Sequence, residues 1–142
     1  MGKKRIIKKA GQESSDKTAS GARVPKKKLD HAILHIEATY NNTKLNLTDP
    51  LGGSLVWSSS GSLGYSGSKK GTPFAASKVG ELIADKAIAM GVKDVDVIIC
   101  GVGAGREGAM RAVAAKGINI LSIKDRTPVP FNGPKAPKPR RV

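Results

Sequence analysis

The sequence predicts an α/β domain built on a mixed five-stranded sheet with two helices crossing over it. Three observations carry this. Apolar and polar residues alternate with period two in three successive runs between positions 31 and 59. Two later segments repeat apolar residues at roughly helical spacing, one stopping at Gly91 and the other at Gly117. Each of these is followed or preceded by a further strand-like run, DVDVIIC and INILSIKD. Short turns between the first three runs give an antiparallel three-strand meander, whereas the strand-helix-strand order behind it requires parallel pairing.

The elements follow in order. HAILHIEAT sets Ala32, Leu34, Ile36 and Ala38 on one face against His31, Ile33, His35 and Glu37 on the other. Asn41-Asn42 supplies a turn into TKLNLTD, where Thr43, Leu45 and Leu47 alternate with Lys44, Asn46 and Thr48. Asp49-Pro50 through Gly52-Gly53 is a second turn, leading to SLVWSS, where Leu55 and Trp57 alternate with Ser54, Val56 and Ser58. SSGSLGYSGSKKG is too rich in Gly and Ser for regular structure and ends at Thr72-Pro73, an N-cap followed by a first-turn proline. Phe74, Val79, Leu82, Ile83 and Met90 then mark a long amphipathic helix closed by Gly91. DVDVIIC reads as a buried strand, GREGAMRAVAAKG as a shorter helix and INILSIKD as the last strand.

With 142 residues the chain has room for one ordinary domain and none for separate cofactor and substrate domains. Its net charge of +14 points to a polyanionic partner. That charge is concentrated at the ends: positions 1–28 carry 10 basic and 2 acidic residues, and positions 126–142 carry 5 basic and none acidic. The chain therefore divides into a disordered basic extension (1–28), an α/β domain (29–125) and an extended, proline-rich basic tail (126–142). Cys100 is expected to be a buried thiol in a reducing compartment. No run approaches the ~18 apolar residues of a membrane span, so a cytosolic location is expected, with no membrane partner.

CGVGAGREG, positions 100–108, contains a G-x-G-x-x-G spacing between a strand and a helix, with Asp125 about twenty residues on. A dinucleotide fold needs further strand-helix units beyond this point, and only one helix and one strand remain, so no cofactor is expected. A glycine-opened helix start beside Arg106 suits a nucleic-acid backbone equally well. Lys69 and Lys70 in the long loop offer phosphate contacts, and Tyr65 a ring for an unpaired base. In the tail, Asn132-Gly133 makes a turn, Phe131 offers a stacking ring, and Lys135, Lys138, Arg140 and Arg141 form a spaced set of cations.

His31 and His35, about 13 Å apart along one strand face, are too distant to share a metal unaided. Asp30, Glu37, Asp49, Asp94, Asp96 and Asp125 form no acid/base or two-metal motif. No catalytic residue, metal site or small-molecule substrate is therefore predicted.

Read together, KKGTPFAA (69–76), GVGAGRE (101–107), KDRTPVPFNG (124–133) and the closing RRV resemble the family of protein eleven of the small ribosomal subunit, of bacterial type. The resemblance runs from about His31 to Val142. Within it Ser66, Val102, Ala104, Phe131 and Pro134-Lys135-Ala136 depart from the usual family residues. It implies a ribonuclease-H-like topology without nuclease activity and a structural, rRNA-binding role in translation. The implied address is the central domain of small-subunit rRNA at the platform, beside the messenger and exit-site tRNA path and near ribosomal proteins seven and eighteen. By position, the implied rRNA contacts are Asn42 and Thr43, then Tyr65, Gly67, Ser68, Lys69, Lys70, Gly71 and Thr72 of the long loop. Arg106 and Glu107 follow, and then the tail at Arg126, Thr127, Phe131, Asn132, Gly133, Lys135, Lys138, Arg140 and Arg141.

Overall fold

Five strands and two helices form in the predicted order in a computed structural model, which describes residues 29–139. The predicted extension 1–28, together with Arg140 and Arg141, lies outside the described residues. The strands are β1 (His31–Ala38), β2 (Thr43–Thr48), β3 (Ser54–Ser59), β4 (Asp94–Cys100) and β5 (Asn119–Asp125), and the helices α1 (Pro73–Ala89) and α2 (Gly105–Ala115). Capping chemistry fixes the ends of α1. The Thr72 hydroxyl accepts from the Ala75 amide at 3.3 Å, Pro73 occupies the first turn, and Gly91 leaves the helix at φ +88°.

The sheet has the order β3-β2-β1-β4-β5, antiparallel between β1 and β2 and between β2 and β3, and parallel between β1 and β4 and between β4 and β5. Register brings apolar rows together: Leu47, Leu34 and Val97 lie side by side across β2, β1 and β4, as do Leu45, Ile36 and Ile99. Both helices cover this face. Val79 and Ile83 of α1 and Val113 of α2 close the core over Leu34, Ile36, Leu45, Leu47, Val95 and Val97, all buried. Each fully buried Leu or Ile here contributes roughly 2 kcal/mol. Small residues let the helices approach: the buried stripe of α1 is largely Ala75, Ala76, Gly80, Ala84 and Ala87.

Several expectations need correction. In β3 the buried residues are Val56 and Ser58, while Leu55 is half-buried and Trp57 lies 67% exposed. Pairing with β2 decides this, because Val56 sits opposite core-facing Leu47 and Trp57 opposite Asn46. DVDVIIC is buried on one face only, since the helices cover only one side of the sheet, and Cys100 is thereby left half-buried on the uncovered face. The Gly/Ser stretch after β3 is also more ordered than its composition suggests. Ser62 Oγ donates to the Ser59 carbonyl at 2.7 Å, Leu63 packs on the core, and Gly67–Gly71 forms a 3-10 turn. In α1, Phe74 is 64% exposed and does not join the core.

The uncovered face carries polar residues paired with one another among scattered apolar ones. His31 Nε2 lies 3.1 Å from Asp96 Oδ2, Ser122 Oγ donates to Asp96 Oδ1 at 2.6 Å, and His35 Nε2 lies 3.3 Å from the Thr48 hydroxyl. The two histidines thus serve separate strand-to-strand links. No helix among the described residues is long and apolar enough to cross a membrane.

Candidate nucleic-acid interface

Strands β1, β3, β4 and β5 run in one direction and β2 runs against them. Four segments far apart in sequence therefore emerge at one end of the sheet: the turn 39–42, the loop 60–72, the glycine loop 101–105 and the tail from 126. Crevices beyond the carboxyl ends of parallel strands are where α/β sheets ordinarily bind ligands. All the residues predicted to contact nucleic acid that the structure describes lie in these segments or at their edges.

The turn is held from within and from both sides. Thr39 N–H donates to the Asn42 carbonyl at 2.9 Å, and the Asn42 amide donates to the Thr39 hydroxyl at 3.1 Å. Gly71 of the long loop packs on the Tyr40 carbonyl, and Gly103 packs on that of Thr39; a methyl group at either glycine would overlap those oxygens. Thr43 is fully buried, with its side chain against Gly105. Of the predicted pair Asn42 and Thr43, the threonine side chain supports the glycine loop from inside. Asn42 Oδ1 and Thr43 Oγ1 are buried there without a hydrogen-bond partner, which is uncommon for buried oxygens.

The G-x-G-x-x-G spacing is thus spent on packing within the protein. Gly103 fits Thr39, Gly105 fits Thr43, and a Cβ at Gly108 would lie 2.6 Å from the Pro73 carbonyl oxygen of α1. Asp125, which a dinucleotide reading would place on a ribose, is committed elsewhere. Its carboxylate pairs with the Arg106 guanidinium and accepts from the Thr127 hydroxyl at 2.6 Å and the Thr127 amide at 2.9 Å. The Thr127 hydroxyl in turn accepts from the Gly101 amide at 3.2 Å, tying β5 and the tail to the glycine loop. The start of α2, at Ala104, has no side-chain cap, and such a start favours an anion.

Hydrogen bonds from Thr127, followed by the Arg106 guanidinium, hold the Asp125 carboxyl below the usual aspartate range. The Ser122 hydroxyl, with His31 second, does the same for Asp96. A depressed carboxyl contributes stability that is present above its unfolded value, near pH 4, and is lost as pH falls through the lower folded value. The urea midpoint is therefore expected to drop on going from pH 5 to pH 2.5, and Asp96→Asn with Asp125→Asn to flatten that drop. Parallel pH profiles for parent and variant would rule these carboxylates out as its source.

The cations around this end are unevenly committed. Arg106 is held by Asp125, and Glu107 pairs with Arg111 at 2.9 Å along α2. Lys69, Arg126, Lys135 and Lys138 are exposed and Lys70 half-buried, and among the described residues none pairs with a carboxylate. Gly67 and Ser68 are exposed beside Lys69. Thr72 uses its hydroxyl on α1 and on the Lys69 carbonyl at 2.8 Å, which fixes the lysine backbone. The Tyr65 ring packs edge-on against Phe74, with centroids 6.4 Å apart. In the tail Phe131 is 93% exposed, Asn132 turns the chain at φ +82°, and Gly133 follows.

Tyr40 was not predicted. It projects from the braced turn between Gly71 and the glycine loop, 79% exposed. The signal was present as an aromatic residue directly before Asn41-Asn42, a position a tight turn pushes into solvent.

The family model described as ribosomal protein S11 matches residues 32–141 of the chain.

Proposed function

Because the chain belongs to the ribosomal protein S11 family, structural rRNA-binding proteins of the small ribosomal subunit, we propose that its sheet end and tail together grip the rRNA backbone. The observation that carries this is the convergence of four distant segments at one end of the sheet, bearing Lys69, Lys70, Arg126, Lys135 and Lys138, none of which pairs with a carboxylate among the described residues. Unpaired exposed cations are the residues that release counterions from a phosphate backbone. Arg106 and Glu107 act at the α2 start, Asn42 and Thr43 shape the turn, and Tyr65 to Thr72 form the loop laid on RNA. The tail, from Arg126 and Thr127 through Phe131 to Lys138, serves as an extended basic arm, and Arg140, Arg141 and the ten basic residues of 1–28 add charge for phosphate.

On this reading the protein is of bacterial type and cytoplasmic, binds the central domain of small-subunit rRNA at the platform, and lies beside the messenger and exit-site tRNA path near ribosomal proteins seven and eighteen. The family resemblance supports that address. Strand order β3-β2-β1-β4-β5 with β2 alone reversed supports a ribonuclease-H-like topology. Here the fold acts as a scaffold: the glycines around the α2 start pack against protein, Asp125 is paired with Arg106 and Glu107 with Arg111.

Sedimentation of a lysate on a sucrose gradient tests the assignment. The protein is expected in small subunits and translating ribosomes at one copy each, retained in moderate salt, and purified protein should prefer small-subunit rRNA to duplex DNA of equal length. Equal affinity for both would mark it as a general nucleic-acid binder and overturn the proposal.

A further inference from the structure

We infer that Tyr40 stacks on an unpaired base of the bound RNA, beside the loop that carries Lys69 and Lys70. The inference rests on the rRNA-binding reading above and adds a site and a ligand class to it. Tyr40 is 79% exposed, and neither its ring nor its hydroxyl has a partner among the described residues. Its backbone, by contrast, is immobilised. The Thr39–Asn42 hydrogen bonds close the turn, Gly71 abuts the Tyr40 carbonyl and Gly103 abuts that of Thr39. Only the two side-chain torsions remain to be fixed on binding, so a stacked base meets little entropic opposition.

Position selects the ligand. Gly71, directly after Lys69 and Lys70, packs on the Tyr40 carbonyl, and Gly103, three residues before Arg106, packs on that of the adjacent Thr39. A ring on a turn packed against a loop that carries two lysines fits a nucleotide whose base is splayed out and whose adjoining phosphate is gripped. The other aromatic residues are less suited. Tyr65 spends an edge on Phe74, Phe131 sits on the extended tail, and Trp57 lies on the uncovered sheet face opposite Asn46.

The test is affinity for small-subunit rRNA at several salt concentrations, comparing Tyr40→Ala, Tyr40→Leu, Tyr40→Phe and a Lys69→Ala/Lys70→Ala control. Tyr40→Ala and Tyr40→Leu are expected to weaken binding on the order of 10-fold at every salt concentration, leaving the salt slope unchanged. Tyr40→Phe, which keeps the π face, should bind as the parent does. The lysine control should weaken binding and lower the slope. If Tyr40→Ala binds like the parent while the lysine control weakens, the stacking inference fails and the rRNA-binding reading stands. If Tyr40→Leu matches Tyr40→Phe, apolar contact replaces stacking and the inference is again overturned. If the parent itself shows no affinity for rRNA, both fall together. Because the ring is exposed, the urea midpoint should be the same in all three Tyr40 variants.

Discussion

Gly101→Val is expected to cost on the order of 4 kcal/mol, a large share of the roughly 5–15 kcal/mol that holds a domain folded. Two penalties coincide at this residue. Its φ of +98° is open to glycine and strained for any L side chain, most of all a β-branched one. A Cβ there would also overlap the Ala38 carbonyl oxygen, and that oxygen accepts from the Gly103 amide at 2.9 Å, so it cannot yield without opening the glycine loop. Urea unfolding read by circular dichroism measures the loss. Gly61→Ala is the control, because the nearest atom to a new Cβ is the flexible Lys70 side chain at 3.7 Å. A Gly101→Val midpoint equal to that of Gly61→Ala would show that the loop relaxes freely and does not brace the turn.

Replacing Lys69, Lys70, Arg126 and Lys135 together by Ala is expected to reduce affinity for small-subunit rRNA on the order of 100-fold near physiological salt and to lower the salt slope by about 3. The reasoning is additive. Each of the four reaches solvent and none is tied to a carboxylate among the described residues, so each is available to a phosphate. For the same reason the change should leave the fold intact. Arg106 is left out of the set because its guanidinium holds Asp125, and its loss would mix binding with stability. Fluorescence anisotropy across a salt series gives both quantities. An unchanged slope would mean that these cations do not meet phosphate and that the grip lies elsewhere on the surface.

Much of the fold was legible because local rules dominate it. Thr72-Pro73 and Gly91 bound α1 through hydrogen bonds and backbone angles that depend on neighbouring residues alone. What failed were facing decisions set by distant partners. Leu55 and Trp57 outweigh Val56 and Ser58 in hydrophobicity, yet the register against Leu47 and Asn46 turns the smaller pair inward. The same parity leaves Cys100 opposite Glu37 and away from the core. Of the candidate interface, the basic loop and tail could be read directly. The use of the glycines could not: their spacing is compatible with a pyrophosphate or with close packing, and only the meeting of Gly103 with Thr39 and Gly105 with Thr43 decides between them. The link between Arg106 and Asp125 was equally hidden, since it depends on β5 lying next to β4.

The bracing of the 39–42 turn by residues near position 100 also imposes a schedule on biosynthesis. At 5–20 residues per second, about 60 residues separate the two, so the turn leaves the synthesising ribosome several seconds before its brace. β1, β2 and β3 can pair early, because their contacts are local, whereas the parallel partner β4 arrives late. An unfinished chain ending short of Gly101 has Lys69 and Lys70 but no Gly103 beneath Thr39. Its turn then keeps the Gly71 contact but lacks the Gly103 brace, and such a chain is expected to bind rRNA more weakly than a completed copy.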